Sequence, residues 1–364
     1  MPTHTLSCGL LRSEEPTHIT ALALDQSPPE SESQCRLASF LSSGRFSIFV
    51  IDYRLPSNSI RSLTYTPVVK TSRTSPIIEA VYHQPLLITL SQAFHLSIYD
   101  LFSDTISHRQ TLTSFTSFPP SSLVLSAPSV ANYKLVLAYA IPVYPAHWSV
   151  GATELIISGS SCDRTAPPTG SELLNVIKTR TTRAFDVPSG WIDENKLRTM
   201  REQWGRKVHR VAHTQTDGKW VVLAPATTYL PPSASQPITN PSLGYDSPLV
   251  SSSLHSPTSL QLYRLSLPSN PSSSSSPKLT FVRCLFGPSG PVSALALADG
   301  RCVCLGANGS IWVWDLESNN IGTEVARAPN LEEGNRGERG NVIFDERRII
   351  SAGPDGLVTH RFDI

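Results

Sequence analysis

Two pairs of side chains have the spacing of metal ligands. The sequence HRVAH places His209 and His213 four positions apart, and GRCVCLG places Cys302 and Cys304 two apart. A structural zinc site needs four ligands, and metalloprotease chemistry needs a glutamate directly after the first histidine, so neither pair is complete. We therefore expect no metal and no cofactor. The histidines are predicted to share a face of a strand near the protein surface, and the cysteines to be small core residues.

The sequence lacks the common motifs of nucleophilic and phosphate chemistry. Neither G-x-S-x-G nor G-x-x-x-x-G-K-[ST] occurs, and the pair Gly218-Lys219 is followed by Trp220 in an expected hairpin turn. Asn308-Gly309-Ser310 has the form of a glycosylation acceptor but is also predicted to be a turn. A catalytic protein is the alternative, yet it would require acids or histidines clustered at several strand starts, and no such set is found. We predict a protein that is not an enzyme.

One stretch, residues 178–210, stands out by its charge. It contains nine Lys and Arg against four Asp and Glu, so its net charge is 9 − 4 = +5. Guanidinium and indole groups together suit an acidic or phosphorylated peptide, whereas the alternative is a solvated insertion that balances acidic loops elsewhere. The candidate partner-binding residues are Arg180, Arg183, Trp191, Arg198, Arg201, Trp204, Arg206 and Lys207.

Part of this stretch has the pattern of a short helix. The sequence WIDENKLRTMREQW carries acids in its first turn and places Leu197, Met200 and Trp204 on one side. Ser189 is the expected N-cap because a serine side chain can accept a hydrogen bond from a first-turn amide.

Composition limits the class of protein. The chain has 364 residues, of which 40% are hydrophobic and 16% charged, with a formal net charge of +1. This balance is unlike the basic surface of a dedicated nucleic-acid binder. No apolar run of about 18 residues and no signal peptide are found. We expect a soluble protein of the cytoplasm or nucleus with reduced cysteines, a protein or peptide partner, no nucleic acid and no membrane.

Short strand patterns recur along the chain, and several of them end in an aromatic or aliphatic residue followed by aspartate. Asp52 and Asp100 are 100 − 52 = 48 positions apart, and Asp315 and Asp363 are 363 − 315 = 48 apart. Asp-Gly and Asn-Gly pairs stand where tight hairpin turns are needed, since these residues accept positive φ. Periodic multi-stranded units of this length are typical of the β-propeller.

The units predict an all-β chain that forms a single β-propeller over residues 1–364. Six units are readable, and residues 160–206 would supply a degenerate seventh, so seven four-stranded blades are expected, with six as the alternative. Irregular insertions are expected at about 160–206 and 231–259. The last unit ends at its third strand, and we expect residues 4–12 to complete its sheet and close the ring.

The units resemble WD repeats. Asp315 and Asp363 match the closing aspartate, Asp355 the turn aspartate and Trp314 the aromatic residue, whereas Asn308 replaces the turn aspartate of its unit. Trp314 is expected to pack between sheets. More narrowly, the stretches LAYAIPVYPAHWSVGATELIIS, RTTRAFDVPSGW and VIFDERRIISAGPDG are similar to the propeller half of fungal F-box proteins with WD-like repeats.

That resemblance implies a function. In such proteins an F-box docks on the adaptor of a cullin-RING (SCF) ubiquitin ligase, and the propeller selects the protein to be ubiquitylated. No Leu-Pro-rich helical F-box is visible in this sequence, so we expect an F-box from an upstream exon or from a partner. The alternative is a WD-repeat scaffold subunit of another multiprotein assembly.

Overall fold

The structure is a computed structural model. It describes residues 17–28, 34–52, 60–67, 75–102, 105–129, 132–143, 146–158, 174–185, 190–226, 259–268, 275–288, 290–318, 321–326, 340–353 and 356–361. These residues form antiparallel sheets and one helix, α1 (Glu194–Gly205). Within the described residues no helix has the length and apolarity to cross a membrane.

Six sheets make up the fold. The first contains β1 to β4: Ile19–Leu24, Gln34–Leu41, Phe46–Asp52 and Ile60–Tyr65. The second contains β5 to β8: Ile77–His83, Leu86–Ser91, His95–Asp100 and Ser107–Thr113. The third contains β9 to β12: Phe118–Ser129, Asn132–Val143, His147–Ser158 and Val176–Arg183.

The later sheets repeat the same strand order. The fourth contains β13 to β16: Val211–Thr216, Trp220–Pro225, Leu260–Ser266 and Lys278–Leu285. The fifth contains β17 to β20: Val292–Ala298, Arg301–Gly306, Ile311–Asp315 and Thr323–Ala326. The sixth contains β21 to β23: Asn341–Phe344, Arg348–Gly353 and Gly356–Arg361. Each sheet pairs its strands in sequence order, which is the arrangement of propeller blades.

The protein is therefore an all-β, six-bladed propeller, the smaller of the two blade numbers that the sequence allowed. Residues 160–206 do not form a seventh blade. Val176–Arg183 is instead β12, the fourth strand of the third sheet, and the helix α1 follows it. The described part of this segment contains one strand, which completes the third sheet.

The expected closing strand, residues 4–12, lies outside the described residues, as do Asp355, Asp363 and most of the predicted insertion at 231–259. The described part of the last sheet has three strands. The extent of one domain over residues 1–364 stays a prediction.

The predicted turns and closing aspartates are confirmed where the structure describes them. Asp52, Asp100 and Asp315 are the last residues of β3, β7 and β19. Asp299 and Gly300 have φ of 48° and 70° in the β17–β18 turn, a conformation that Asp and Gly tolerate better than most residues.

The strand β19 shows how alternation builds the core. Trp314 packs in one hydrophobic cluster together with Cys302 and Cys304, while Ile311 packs in another on the opposite face of the sheet. Both cysteines are fully buried, which confirms their expected core position. Burial raises the pKa of the Cys304 thiol to about 12, because an apolar environment disfavours the thiolate.

The described chain divides into two compact units. The first comprises Met1–Leu137, Thr153–Arg180 and Ser269–Ser274, and its core includes Phe46 in ring contact with Tyr65 and Tyr99. The second comprises Ala138–Ala152, Thr181–Pro268 and Ser275–Ile364. It contains the helix α1 and the cluster around Trp314.

Glu79 on β5 makes the stability of the first unit depend on pH. Burial raises the pKa of its carboxyl group from 4.5 to about 7, although Ser121 donates a hydrogen bond to it at 3.1 Å. The folded state then holds the proton more tightly than the unfolded state. The contribution of Glu79 to stability is therefore fully present below pH 4.5, the ordinary pKa of this carboxyl group, and is lost as the pH rises through about 7.

The substitution Glu79→Gln is expected to remove this contribution, since glutamine does not ionise. Urea midpoints measured across that pH range should fall less steeply for this variant than for the natural protein. Glu346→Gln, at an exposed position, is the matched control and should leave the profile unchanged. Identical profiles for Glu79→Gln and the natural protein would contradict the assignment.

Candidate functional site

The helix α1 begins at a side-chain cap. Asp193 has extended backbone geometry, and its carboxylate accepts a hydrogen bond from the amide of Lys196 at 2.8 Å. Glu194 places a negative charge in the first turn, which suits the positive end of the helix dipole. The predicted helix is confirmed, but the cap is Asp193, and Ser189 lies outside the described residues. Asp193 is the residue that directly precedes the first helical turn, where a cap acts.

The end of α1 is fixed to the fourth sheet. The carbonyl oxygen of Arg206 accepts a hydrogen bond from the Gln261 side chain at 2.8 Å, and the Arg206 guanidinium lies 4.7 Å from the Phe281 ring centre. Trp204 packs against Phe185 with ring centres 5.6 Å apart. These contacts hold the helix against strands of its own unit without covering it.

The helix nevertheless leaves its apolar side chains in solvent. None of its residues is buried. Trp191, three positions before its first residue, is 86% exposed, and three further apolar side chains are more than a third exposed: Ile192, Leu197 and Trp204. Exposed large apolar side chains gathered on one segment are typical of interaction sites, because a monomer gains nothing from leaving them in water.

Positive charge accompanies this apolar surface. Residues 190–210 carry six Lys and Arg and three Asp and Glu, a net charge of 6 − 3 = +3. Arg198 and Arg201 are exposed and lie three positions apart, hence on one side of the helix. Arg198 contacts the Asn195 side-chain oxygen at 3.4 Å, and among the described residues Arg201 forms no ion pair.

We define the α1 surface as Trp191, Ile192, Leu197, Arg198, Arg201, Trp204 and Lys207. Trp204 and Lys207 meet directly, with the Lys207 ammonium 3.9 Å from the ring centre. This cation–π contact fixes the ammonium beside the exposed indole. The surface thus combines aromatic anchors with cations on a positioned element.

The structure does not place all the predicted partner-binding residues on one surface. Arg180 was predicted to belong to the binding surface, but its side chain is only 7% exposed. It pairs with Glu154 on the neighbouring strand at 3.1 Å. Arg206 is partly buried against Phe281, so its guanidinium serves the attachment of the helix. Arg183 is exposed at the end of β12 and not on the helix.

Two apolar residues, Ile192 and Leu197, were missing from the predicted set. Charge and indole content drew attention to the arginines and tryptophans and not to these two side chains. The signal was present, since Leu197 was placed on the apolar side of the helix, but nothing in the sequence showed that this side has no cover.

A histidine pair adjoins the α1 surface. The rings of His147 and His209 have centres 4.9 Å apart. Burial, and then the charges of Lys207 and His209, lower the pKa of His147 below its usual 6.5. The sequence pointed to His209 with His213, but His209 lies before β13 and its ring partner is His147, a residue remote in sequence.

The other chemical candidates are structural in the part of the chain that the structure describes. Ser310 is buried, and its hydroxyl donates to Asn308 at 2.7 Å within the predicted turn. Trp314 is 2% exposed and packs between sheets as expected. No three His, Cys, Asp or Glu side chains gather as a metal site among the described residues.

Comparison with solved structures gives matches of low sequence identity. The Dos1 propeller is 12% identical, with 94% of this chain and 67% of that chain covered at a TM-score of 0.47. KlAtg21, solved in complex with the coiled coil of AgAtg16, is 8% identical, with 95% of each chain covered at a TM-score of 0.42. The computationally designed Ika8 protein is 12% identical, covering 94% of this chain and 70% of that chain at a TM-score of 0.40.

Comparison of sequences assigns the chain to a family. No curated protein matches it significantly. The family profile described as the F-box protein pof12 beta-propeller matches residues 5–338, which include the first five sheets and the helix α1. With its six sheets and this match over most of its length, the chain belongs to the F-box protein pof12 β-propeller family.

Proposed function

We propose that this propeller is the substrate-recognition part of an F-box-type (SCF, cullin-RING) ubiquitin ligase and acts by binding protein, without catalysis of its own. The observation that carries the proposal is the match to an F-box protein propeller family over residues 5–338. Loops and short elements held on a rigid sheet scaffold suit recognition, because little conformational entropy is lost when they bind.

The proposed contact is the α1 surface. Tryptophan and arginine are among the residues most enriched at binding hot spots, and the exposed side chains of Trp191 and Arg201 present both types. An exposed indole gains free energy when a partner covers it, and that gain is unavailable within the described fold.

The partner that fits is a segment with apolar side chains and carboxylates. The apolar residues of the partner would cover Trp191 and Leu197, and its carboxylates would face Arg198 and Arg201, which carry the net positive charge of this region. Arginine binds carboxylates through two parallel hydrogen bonds, so these contacts would also orient the segment. Complementary charge raises the association rate as well as the specificity.

Affinity capture of the full-length protein from the cells that make it tests the ligase role. We expect the cullin and its adaptor to be recovered together with a protein that accumulates when the propeller is removed. Recovery of a stable assembly that lacks both ligase subunits would overturn the ligase role and favour a scaffold in another complex.

The triple variant Trp191→Ala, Arg198→Glu, Arg201→Glu tests the contact itself. Because hot-spot truncations cost about 2 kcal/mol or more each, recovery of the substrate should fall at least roughly thirtyfold, while the cullin and adaptor are retained. Lys278→Glu reverses one exposed charge on β16, away from α1 in sequence, and serves as the control that should keep the substrate. Unchanged substrate recovery by the triple variant would contradict the assigned surface.

A further inference from the structure

The histidine pair beside α1 is built by a β-bridge. Trp148 and Val208 exchange two backbone hydrogen bonds, of 2.7 and 2.9 Å, in an antiparallel bridge. Their neighbours His147 and His209 therefore stand opposite each other, on the face away from Trp148 and Val208. Lys207 lies close enough to His147 for its charge to lower the pKa of that imidazole.

Three nitrogen groups thus converge at one place. The imidazole rings of His147 and His209 are 4.9 Å apart at their centres, and Lys207 is held over the Trp204 ring at 3.9 Å. The Nδ1 atom of His147 is buried and has no hydrogen-bond partner among the described residues. Buried polar atoms are rarely left without a partner, so this atom indicates a missing ligand.

The side chains of His147, His209 and Lys207 together suit the binding of an anion and do not suit the binding of a metal ion. The charges that act on His147 come from Lys207 and His209, and both are cationic when protonated. A metal ion would be repelled by the ammonium and would find no third ligand among the described residues. The neighbouring cation Arg206 does not take part, because its guanidinium packs on the Phe281 ring.

We propose that His147, His209 and Lys207 form a proton-dependent subsite for a carboxylate of the acidic segment that binds the α1 surface. The proposal rests on the proposed binding role of that surface, because Lys207 belongs to both. The carboxylate would accept hydrogen bonds from the imidazolium groups and from the ammonium, and would supply the partner that Nδ1 of His147 lacks.

Binding of a carboxylate here is coupled to protonation. In the free protein, burial and the repulsion from Lys207 and His209 lower the pKa of His147, which favours the neutral imidazole. A bound anion cancels that repulsion and favours the imidazolium, so the bound state takes up protons. Affinity for the anion therefore rises as the pH falls, by about tenfold for each unit by which binding raises the histidine pKa.

The test uses the full chain and a simple dicarboxylate, glutarate. Histidine ring resonances are followed by NMR as the pH is varied, with and without glutarate. We expect the pKa of His147 to rise when glutarate is present. An unchanged pKa of His147 at saturating glutarate would overturn the proposal.

Variants separate the three groups. Lys207→Met should weaken glutarate binding about tenfold at neutral pH, by loss of one charged hydrogen bond. His147→Gln should abolish most of the pH dependence while keeping the β-bridge, which near-UV circular dichroism verifies. Lys278→Met is the matched control and should bind as the natural protein does. An affinity for glutarate that is equally pH-dependent in His147→Gln would also overturn the proposal.

These measurements are independent of the ligase assignment. Failure to recover a cullin would leave the histidine shifts unaffected, and failure of the shifts would leave the ligase association unaffected. The two proposals can therefore be rejected separately.

Discussion

Replacing Glu154 by alanine is expected to lower the free energy of unfolding by about 3–5 kcal/mol, because it leaves a buried guanidinium without its counter-ion. The Glu154 side chain is 2% exposed and accepts a hydrogen bond from Arg180 at 3.1 Å. Lys134 approaches the same carboxylate at 3.6 Å from the other adjacent strand. One carboxylate thus balances cations on both sides of β11, within a single compact unit.

A double variant distinguishes loss of the pair from loss of one partner. Glu154→Leu combined with Arg180→Met removes both charges and replaces them with apolar side chains, so most of the stability should return. Lys219→Met is the exposed control: the pair Lys219–Glu317 has side chains that are about half exposed, and its loss should have little effect on stability. Equal losses for Glu154→Ala and Lys219→Met in urea unfolding would contradict the assignment.

Replacing Trp314 by alanine should cost about 3–5 kcal/mol of unfolding free energy, the range for deletion of a large buried aromatic side chain. Trp314 is 2% exposed and packs among residues of the fourth and fifth sheets, including Trp220 and Cys302. Its Nε1 donates to the Phe286 carbonyl at 3.2 Å, an acceptor that would lose its partner. Gly322 lies so close to the indole that there is no room for a Cβ atom.

Trp191→Ala is the matched control for this prediction. Trp191 is 86% exposed, so its removal should change the unfolding free energy by no more than about 0.5 kcal/mol. The two variants should therefore affect different properties. Trp314→Ala should lower stability, whereas Trp191→Ala should lower partner binding and leave stability unchanged. Urea unfolding with unchanged m-values gives the comparison, and similar stability for both variants would contradict the packing described.

Strand patterns predicted most of the sheets, because the alternation of apolar and polar residues along a strand shows which side chains face each side of the sheet. In β19, Trp314 and Ile311 stand at positions that alternation places on opposite faces, and each packs in a different cluster. The number of blades was harder to predict. A run such as Val176–Arg183 is the same pattern whether it begins a new sheet or completes an earlier one, and only pairing to β11 decides between them.

The site residues also divide into those that local sequence patterns predict and those that only tertiary contacts reveal. The helix α1 and its cations were predictable, because helical periodicity and charge are local properties of the chain. The burial of Arg180 was not predictable, because it depends on Glu154, which the sheet brings opposite from another strand. His147 gave no signal, since its proximity to His209 arises from a bridge between segments far apart in the sequence.

By itself the sequence determined the class of fold, the repeated strand units and the existence of a basic, aromatic helix, all of which follow from periodicity and composition within short windows. The tertiary structure alone decided that there are six sheets, which cations are free and which apolar side chains stay in solvent. The physical reason is that exposure and charge pairing are set by neighbours across strands. Those neighbours are chosen by the packing of the whole chain.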